Sequence, residues 1–281
     1  MANYTTADIK ALREKTGAGM LDVKKALDEA QGDQAKALEI IRVKGLKGLA
    51  KREGRSTSDG LVAAEVVATE DGQTGVLIEL NSETDFVAKS KPFIELAQQV
   101  LGAAAAVATE DAALVLGSPL TSAKGTVQDA IDAVSATLGE RIQLRRVGVV
   151  SDEHVEVYLH RTNKDLPPQV GVLLATDANG AKVAHDIAMH IAAYTPTYVS
   201  REQVPAETIA AERRIAEETA VEEGKPDKAI PKIVEGRLEG FFKENVLLDQ
   251  AFAKDPKLRV GKVLAGAGGT VSGFVRFRVG A

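Results

Sequence analysis

The sequence predicts an α+β protein in three parts: an N-terminal three-helix module, a duplicated core of antiparallel sheets packed by helices, and an inserted helical hairpin. Three observations predict it. Apolar residues recur at helical spacing over residues 5–44. A strand–turn–strand–loop–helix order occurs twice, at 61–106 and again at 155–193. A Glu- and Ala-rich stretch at 200–228 carries too few apolar residues to belong to a core.

In the N-terminal part, Thr6 is expected to cap a helix with Ile9 and Leu12 on one face, and TGAG (Thr16–Gly19) ends it. Met20, Val23, Ala26 and Leu27 repeat at helical spacing. Gly32 then stops that helix and Asp33 caps a third, with Ala37, Leu38, Ile40 and Ile41 inward. Three short helices bury little, so residues 1–54 read as a small module tethered by the Gly/Lys/Arg/Ser segment 45–60. The next unit, 55–145, opens with a hairpin whose turn is Glu70-Asp71-Gly72, followed by a helix over Pro92–Ala106.

The same order returns at 146–199, as VEVYLH (Val155–His160), GVLLAT (Gly171–Thr176) and a helix from Ala181 to Ala193. Matching Gly75 to Gly171 leaves extra residues before the helix in the first copy, and these contain TDFVAKS. Residues 200–229 form the expected hairpin insertion, turning at Gly224–Pro226. The part at 230–281 closes the second sheet with Val271, Phe274 or Val275, and Phe277.

Composition narrows the function. At 281 residues, 44% hydrophobic and 27% charged, the chain is ordinary for a soluble globular protein; aromatics are thin at 4% and tryptophan is absent. Absence of cysteine rules out disulfides and thiolate metal sites and fits a reducing, cytoplasmic setting. No run is long enough to span a membrane, and MANYTTADIK lacks the apolar segment of a signal peptide. The net charge of −5 disfavours a stable nucleic-acid partner, and the one basic stretch, Lys44–Arg55, has no interleaved aromatics for base stacking.

The residues assemble no recognisable catalytic constellation, so no enzyme is expected. His185 and His190 are five apart on a predicted helix, whereas a helical zinc pair lies four apart around a glutamate, so both read as half-buried helix positions. His154 and His160 read as surface or strand residues. GAGM (17–20) and GAGGT (266–270) match no phosphate loop, and no serine sits in a nucleophile elbow. Neither a metal nor a cofactor is implied. What is left is an interaction protein with three contact features: the helical module on its basic tether, the inserted loop with Phe86, and the hairpin. A scarce aromatic at the tip of a charged loop is the anatomy of a binding hot spot, although the ring could equally fold inward over the sheet edge.

Taken together, LREKTGAGMLDVKKALDEAQGDQAKALEIIR (Leu12–Arg42), TDFVAK (Thr84–Lys89), DIAMHIAA (Asp186–Ala193), VEGRLEGFFKE (Val234–Glu244) and the closing GFVRFRVG resemble the bacterial translation elongation factor Ts family over nearly the whole chain. The resemblance implies a guanine-nucleotide exchange factor of protein biosynthesis, which binds elongation factor Tu with GDP, displaces Mg²⁺ and promotes GDP release. It assigns partner contacts to Thr84, Asp85, Phe86 and Val87, with the ring entering the GTPase domain. It likens the first module to a ubiquitin-associated fold docking on that domain through Arg13, Met20 and Leu21, and it gives His160 a further contact. The chain stops after RFRVG, without the extra C-terminal helical segment of some relatives, and the link His160–Gly171 is longer than in some of them. A homodimer, or a two-plus-two complex with the GTPase, is left open. Two rival readings differ in where affinity resides. A peptide- or ubiquitin-like-ligand adaptor would bind through residues 1–54, and an RNA-associated ribosomal factor would bind through Lys44–Arg55 with steep salt dependence.

Overall fold

The computed structural model describes residues 3–48 and 52–281. Three helices open the chain: α1 (Thr6–Thr16), α2 (Met20–Glu29) and α3 (Gln34–Lys47). The cap of α1 is Thr5, not Thr6. Thr5 has extended backbone, its hydroxyl accepts from the Asp8 amide, and the Asp8 carboxylate accepts from the Thr5 amide, so two orphan donors are met reciprocally. Gly17 ends α1 in the left-handed region, and the Asp33 carboxylate caps α3 through the amides of Ala35 and Lys36. Leu12, Val23, Ala26, Leu27, Ala37 and Ile41 form the module's own small core.

The core begins with strands β1 (Asp59–Thr69) and β2 (Gly72–Ser82), then helices α4 (Asp85–Ala88), α5 (Lys91–Val107), α6 (Ala112–Gly117) and α7 (Val127–Leu138), then strand β3 (Gln143–Asp152). β2 is central in the antiparallel sheet β1-β2-β3. The break expected at 145–146 falls inside β3, because that strand pairs with β2 from Gln143 to Asp152. The second half runs β4 (His154–His160), β5 (Val170–Thr176), α8 (Ala181–Tyr194), the helix pair α9 (Ala206–Glu222) and α10 (Ile230–Asn245), the two-stranded ribbon β6 (Ala251–Phe252) and β7 (Asp255–Arg259), α11 (Val260–Ala267) and β8 (Val271–Arg278). Here β5 is central in β4-β5-β8. The second hairpin helix is α10, so the pair extends beyond residue 229.

The layers run helices, sheet, sheet, helices. Ile78, Leu80, Phe93, Leu96, Val100 and Ile131 fill the space between the first sheet and its helices, and Val172, Leu174, Ile187, Ile191 and Leu264 do so for the second. Val62, Leu77, Val155, Leu173, Ala175 and Phe277 lie between the sheets. The central strands are therefore buried on both faces, which is why GVLIEL and GVLLAT are continuous rather than alternating apolar runs. Two equivalent glycines permit the close contact. A Cβ on Gly75 would lie 2.6 Å from Val155 Cγ1, and one on Gly171 would lie 2.7 Å from Leu77 Cδ1.

One charge crosses this interior. Glu79, in the middle of GVLIEL, is fully buried; its carboxylate accepts from Arg146 Nε at 2.6 Å and from Asn81 Nδ2 at 3.1 Å. Arg146 in turn covers the Phe277 ring at 4.4 Å and donates to the Arg278 carbonyl, tying the first sheet to the last strand of the second. The histidines also sort differently from expectation. His190 is fully buried, bonded to Gln250 Oε1 at 2.8 Å and accepting from the Ala253 amide, while His185 is exposed and paired with Glu156 at 2.7 Å.

Candidate functional site

The Phe86 ring stands 74% exposed at the tip of the joint between β2 and α5. Its neighbours explain how an aromatic can be presented this way. Val87 and Ala88, 7% and 0% exposed, sink into the first core, so α4 is anchored on its inner face. On the outer face Asp85 pairs with Lys89 at 3.2 Å, and Lys89 Nζ lies 4.5 Å from the Phe86 ring centroid. Thr84 precedes the helix in extended conformation with its hydroxyl bonded to Glu140 Oε1 at 2.6 Å. Among the four residues of TDFV, then, Phe86 and Asp85 face outward, whereas Val87 and Thr84 hold the mount.

The N-terminal module flanks this tip. Arg13, Gly17, Gly19, Phe86, Val87 and Glu140 line one cleft of about 440 Å³. Met20 and Leu21, 58% and 71% exposed, follow Gly19, a residue of that cleft, at the start of α2 and form a second exposed apolar element. Met20 thus departs from the inward stripe of Val23, Ala26 and Leu27. His160 lies at the end of edge strand β4, stacked on Tyr158 at 6.2 Å with its Nδ1 3.2 Å from the tyrosine hydroxyl. Its neighbours Leu159 and Arg161 line a groove of about 310 Å³ shared with Lys89 and Ile94. Arg13 and Phe86 are brought into one cleft, whereas His160 does not line it and only its neighbours Leu159 and Arg161 reach the groove beside Lys89.

The basic segment is not a free tether. α3 continues to Lys47, with Gly45 against α7 so closely that a Cβ there would lie 2.0 Å from the Ala136 carbonyl oxygen. Arg52 donates to the Gly45 and Ser135 carbonyls, and burial together with nearby Arg55 pushes its pKa down. Arg55 bonds Glu83 at 3.2 Å. Within Lys44–Arg55, residues 49–51 lie outside the described residues. Sequence reading missed Glu83 and Glu140, because they face across two joints far apart in the chain and neither belongs to a periodic pattern. No group of three metal-ligating side chains occurs among the described residues, and no described helix is long and apolar enough to cross a membrane.

Comparison with known proteins identifies the family. The family model described as Elongation factor TS matches residues 83–281. Curated relatives named Elongation factor Ts align with the chain over the full length of both: 64% identical in Beutenbergia cavernae, 62% in Micrococcus luteus and 58% in Kineococcus radiotolerans. These alignments also take in the N-terminal module, which the family model leaves out. With most of the chain under one family model and full-length relatives well above half identical, the chain belongs to the elongation factor Ts family.

Proposed function

We propose that this protein binds elongation factor Tu in its GDP form and drives GDP release by inserting Phe86 into the GTPase domain, which displaces Mg²⁺. Membership of the elongation factor Ts family makes the chain a nucleotide-exchange factor of protein biosynthesis. The observation that carries the finer reading is the Phe86 ring, exposed on a helix whose neighbouring residues are buried. An apolar ring held off its own core has a pocket to fill elsewhere.

A GTPase grips its nucleotide through Mg²⁺, backbone amides around the phosphates, and switch segments with alternative arrangements. A stiff apolar wedge favours the arrangement in which those ligands no longer converge. The effect is reciprocal: whatever weakening the factor imposes on GDP, GDP imposes on the factor. Full burial of one phenylalanine supplies about 1.5–3 kcal/mol, near the upper end of ordinary allosteric coupling. Stronger acceleration needs the further contacts of Arg13, Met20, Leu21 and His160, which add binding energy without touching the nucleotide. No bond is made or broken by the factor, so no catalytic side chain is required.

The test is release of fluorescent GDP from purified elongation factor Tu, with and without this protein. Acceleration by the parent and its loss in a folded Phe86→Ala variant support the reading; an unchanged rate in that variant ends it.

A further inference from the structure

α4 has four residues, and its N-cap, Thr84, makes no side-chain cap bond of its own. So short a helix does not hold its shape unaided. What holds the residues ahead of it comes from another part of the chain. Glu140 Oε1 accepts the Thr84 hydroxyl at 2.6 Å, and Oε2 accepts the amides of Thr84 and Glu83 at 3.0 and 3.1 Å. One carboxylate satisfies three donors ahead of the helix. The arrangement is mutual, because Glu83 Oε1 accepts the Arg141 amide at 2.6 Å. Each joint, β2 to α4 and α7 to β3, lends a carboxylate to the backbone of the other.

The residues just before Glu140 seat the N-terminal module. The Ser135 carbonyl receives Arg52, the Ala136 backbone meets Gly45, and a Cβ on Gly17 would lie 2.4 Å from Leu138 Cδ2. Ser135 Oγ also donates to the Glu140 carbonyl, tightening the turn between them. The end of α7 is therefore a shared mount for the two exposed elements, Phe86 on one side and the module carrying Met20 and Leu21 on the other.

We propose that Glu140 is a positioning residue of the exchange reaction, its carboxylate holding α4 in fixed register with the N-terminal module so that Phe86 enters the GTPase while the module is docked. This rests on the wedge reading above. The module and the other outlying contacts set most of how tightly the factor docks. Glu140 sets how much of that docking is converted into nucleotide release, because a yielding mount spends the binding energy on ordering the loop.

The experiment is stopped-flow release of fluorescent GDP from elongation factor Tu over a concentration series of the full-length protein, giving a maximal rate and a half-saturating concentration. Glu140→Ala is expected to lower the maximal rate about 10- to 100-fold, the scale of an ångström misplacement, with half-saturation within about threefold of the parent. Glu140→Gln keeps an oxygen for both amides and a nitrogen for the Thr84 oxygen, so its rate should stay within about threefold of the parent. In a Phe86→Ala background, Glu140→Ala should add nothing, since it acts through the ring.

A parental rate in Glu140→Ala overturns the proposal. So does an equal further loss in the Phe86→Ala background, or a raised half-saturation at unchanged maximal rate. If Phe86→Ala alone keeps the parental rate, the wedge reading itself has failed. Should Glu140→Ala not fold, Thr84→Val removes one donor to the same carboxylate. A smaller fall in maximal rate is then expected, and an unchanged rate overturns the proposal.

Discussion

The two halves of the core make the same turn from central strand to helix in different ways. In the second half, residues 177–180 carry β5 into α8. Asp177 closes that joint, accepting the Gly180 amide at 2.7 Å and the Thr270 hydroxyl at 2.7 Å, and these bonds hold its carboxyl below the usual range. In the first half, residues 83–90 intervene between β2 and α5, and the carboxylate that holds the joint comes from Glu140, beyond α7. The first joint is thereby free to project a side chain that the second has no room to carry. A repeated strand–helix order thus comes to present an exposed ring by lengthening one joint and bracing it from a distance.

The largest effect is expected at the wall the halves share. Arg146→Ala leaves Glu79 buried without its cation, and the residual bonds from Asn81 and Gly280 compensate only in part. Denaturant unfolding should show a loss of about 3 kcal/mol, the low end for a broken buried pair. A loss under 1 kcal/mol would mean that the halves do not depend on this tie.

Phe86→Ala isolates the longer joint. The GDP-release rate should fall about 100-fold, equal to about 2.7 kcal/mol, while unfolding free energy changes by about 0.5 kcal/mol or less because the ring is exposed. Asp177→Ala is the matching change in the shorter joint and should act in the opposite sense. The melting temperature should drop modestly and exchange should be unaffected. Because the folded-state pKa of Asp177 is depressed, its contribution is present above the ordinary carboxylate value and lost as pH falls through the folded value; the variant should lack that part of the acid limb. Faster or slower exchange in Asp177→Ala would show that the second joint also serves the partner.

The smallest effect concerns His190 beneath α8. Burial lowers its pKa from the ordinary 6.5, partly opposed by the Gln250 bond. The unfolded chain then binds the proton more readily. Stability from this residue is complete above about pH 6.5 and declines as pH falls toward the folded value. Unfolding curves across that window should slope accordingly, and His190→Gln should flatten the component.

Local chemistry made much of the fold legible. Gly17, Gly32 and Asp33 mark helix ends because their caps are satisfied within a few residues, and the Glu70-Asp71-Gly72 turn marks the hairpin for the same reason. The cap of α1 was misread by one position because Thr5 and Thr6 are both competent, and only the Asp8 reciprocity distinguishes them. His190 looked half-buried because periodicity gives a helix face but not what covers it. Of the candidate contacts, Phe86 announced itself as a scarce aromatic among charges.

Most helix ends, the doubled strand–helix order, the absence of cysteine chemistry and the extra length of the first joint are legible in residue order alone. Each rests on residue types and on spacings within one segment, needing no contact between distant parts of the chain. That Phe86 points outward, that Val87 does not, that Arg13 shares its cleft and that Glu140 holds the residues ahead of α4 emerges only once the chain is folded. Those outcomes depend on side chains meeting across large separations in the chain, and no local pattern of residues encodes which distant carboxylate will find a free amide.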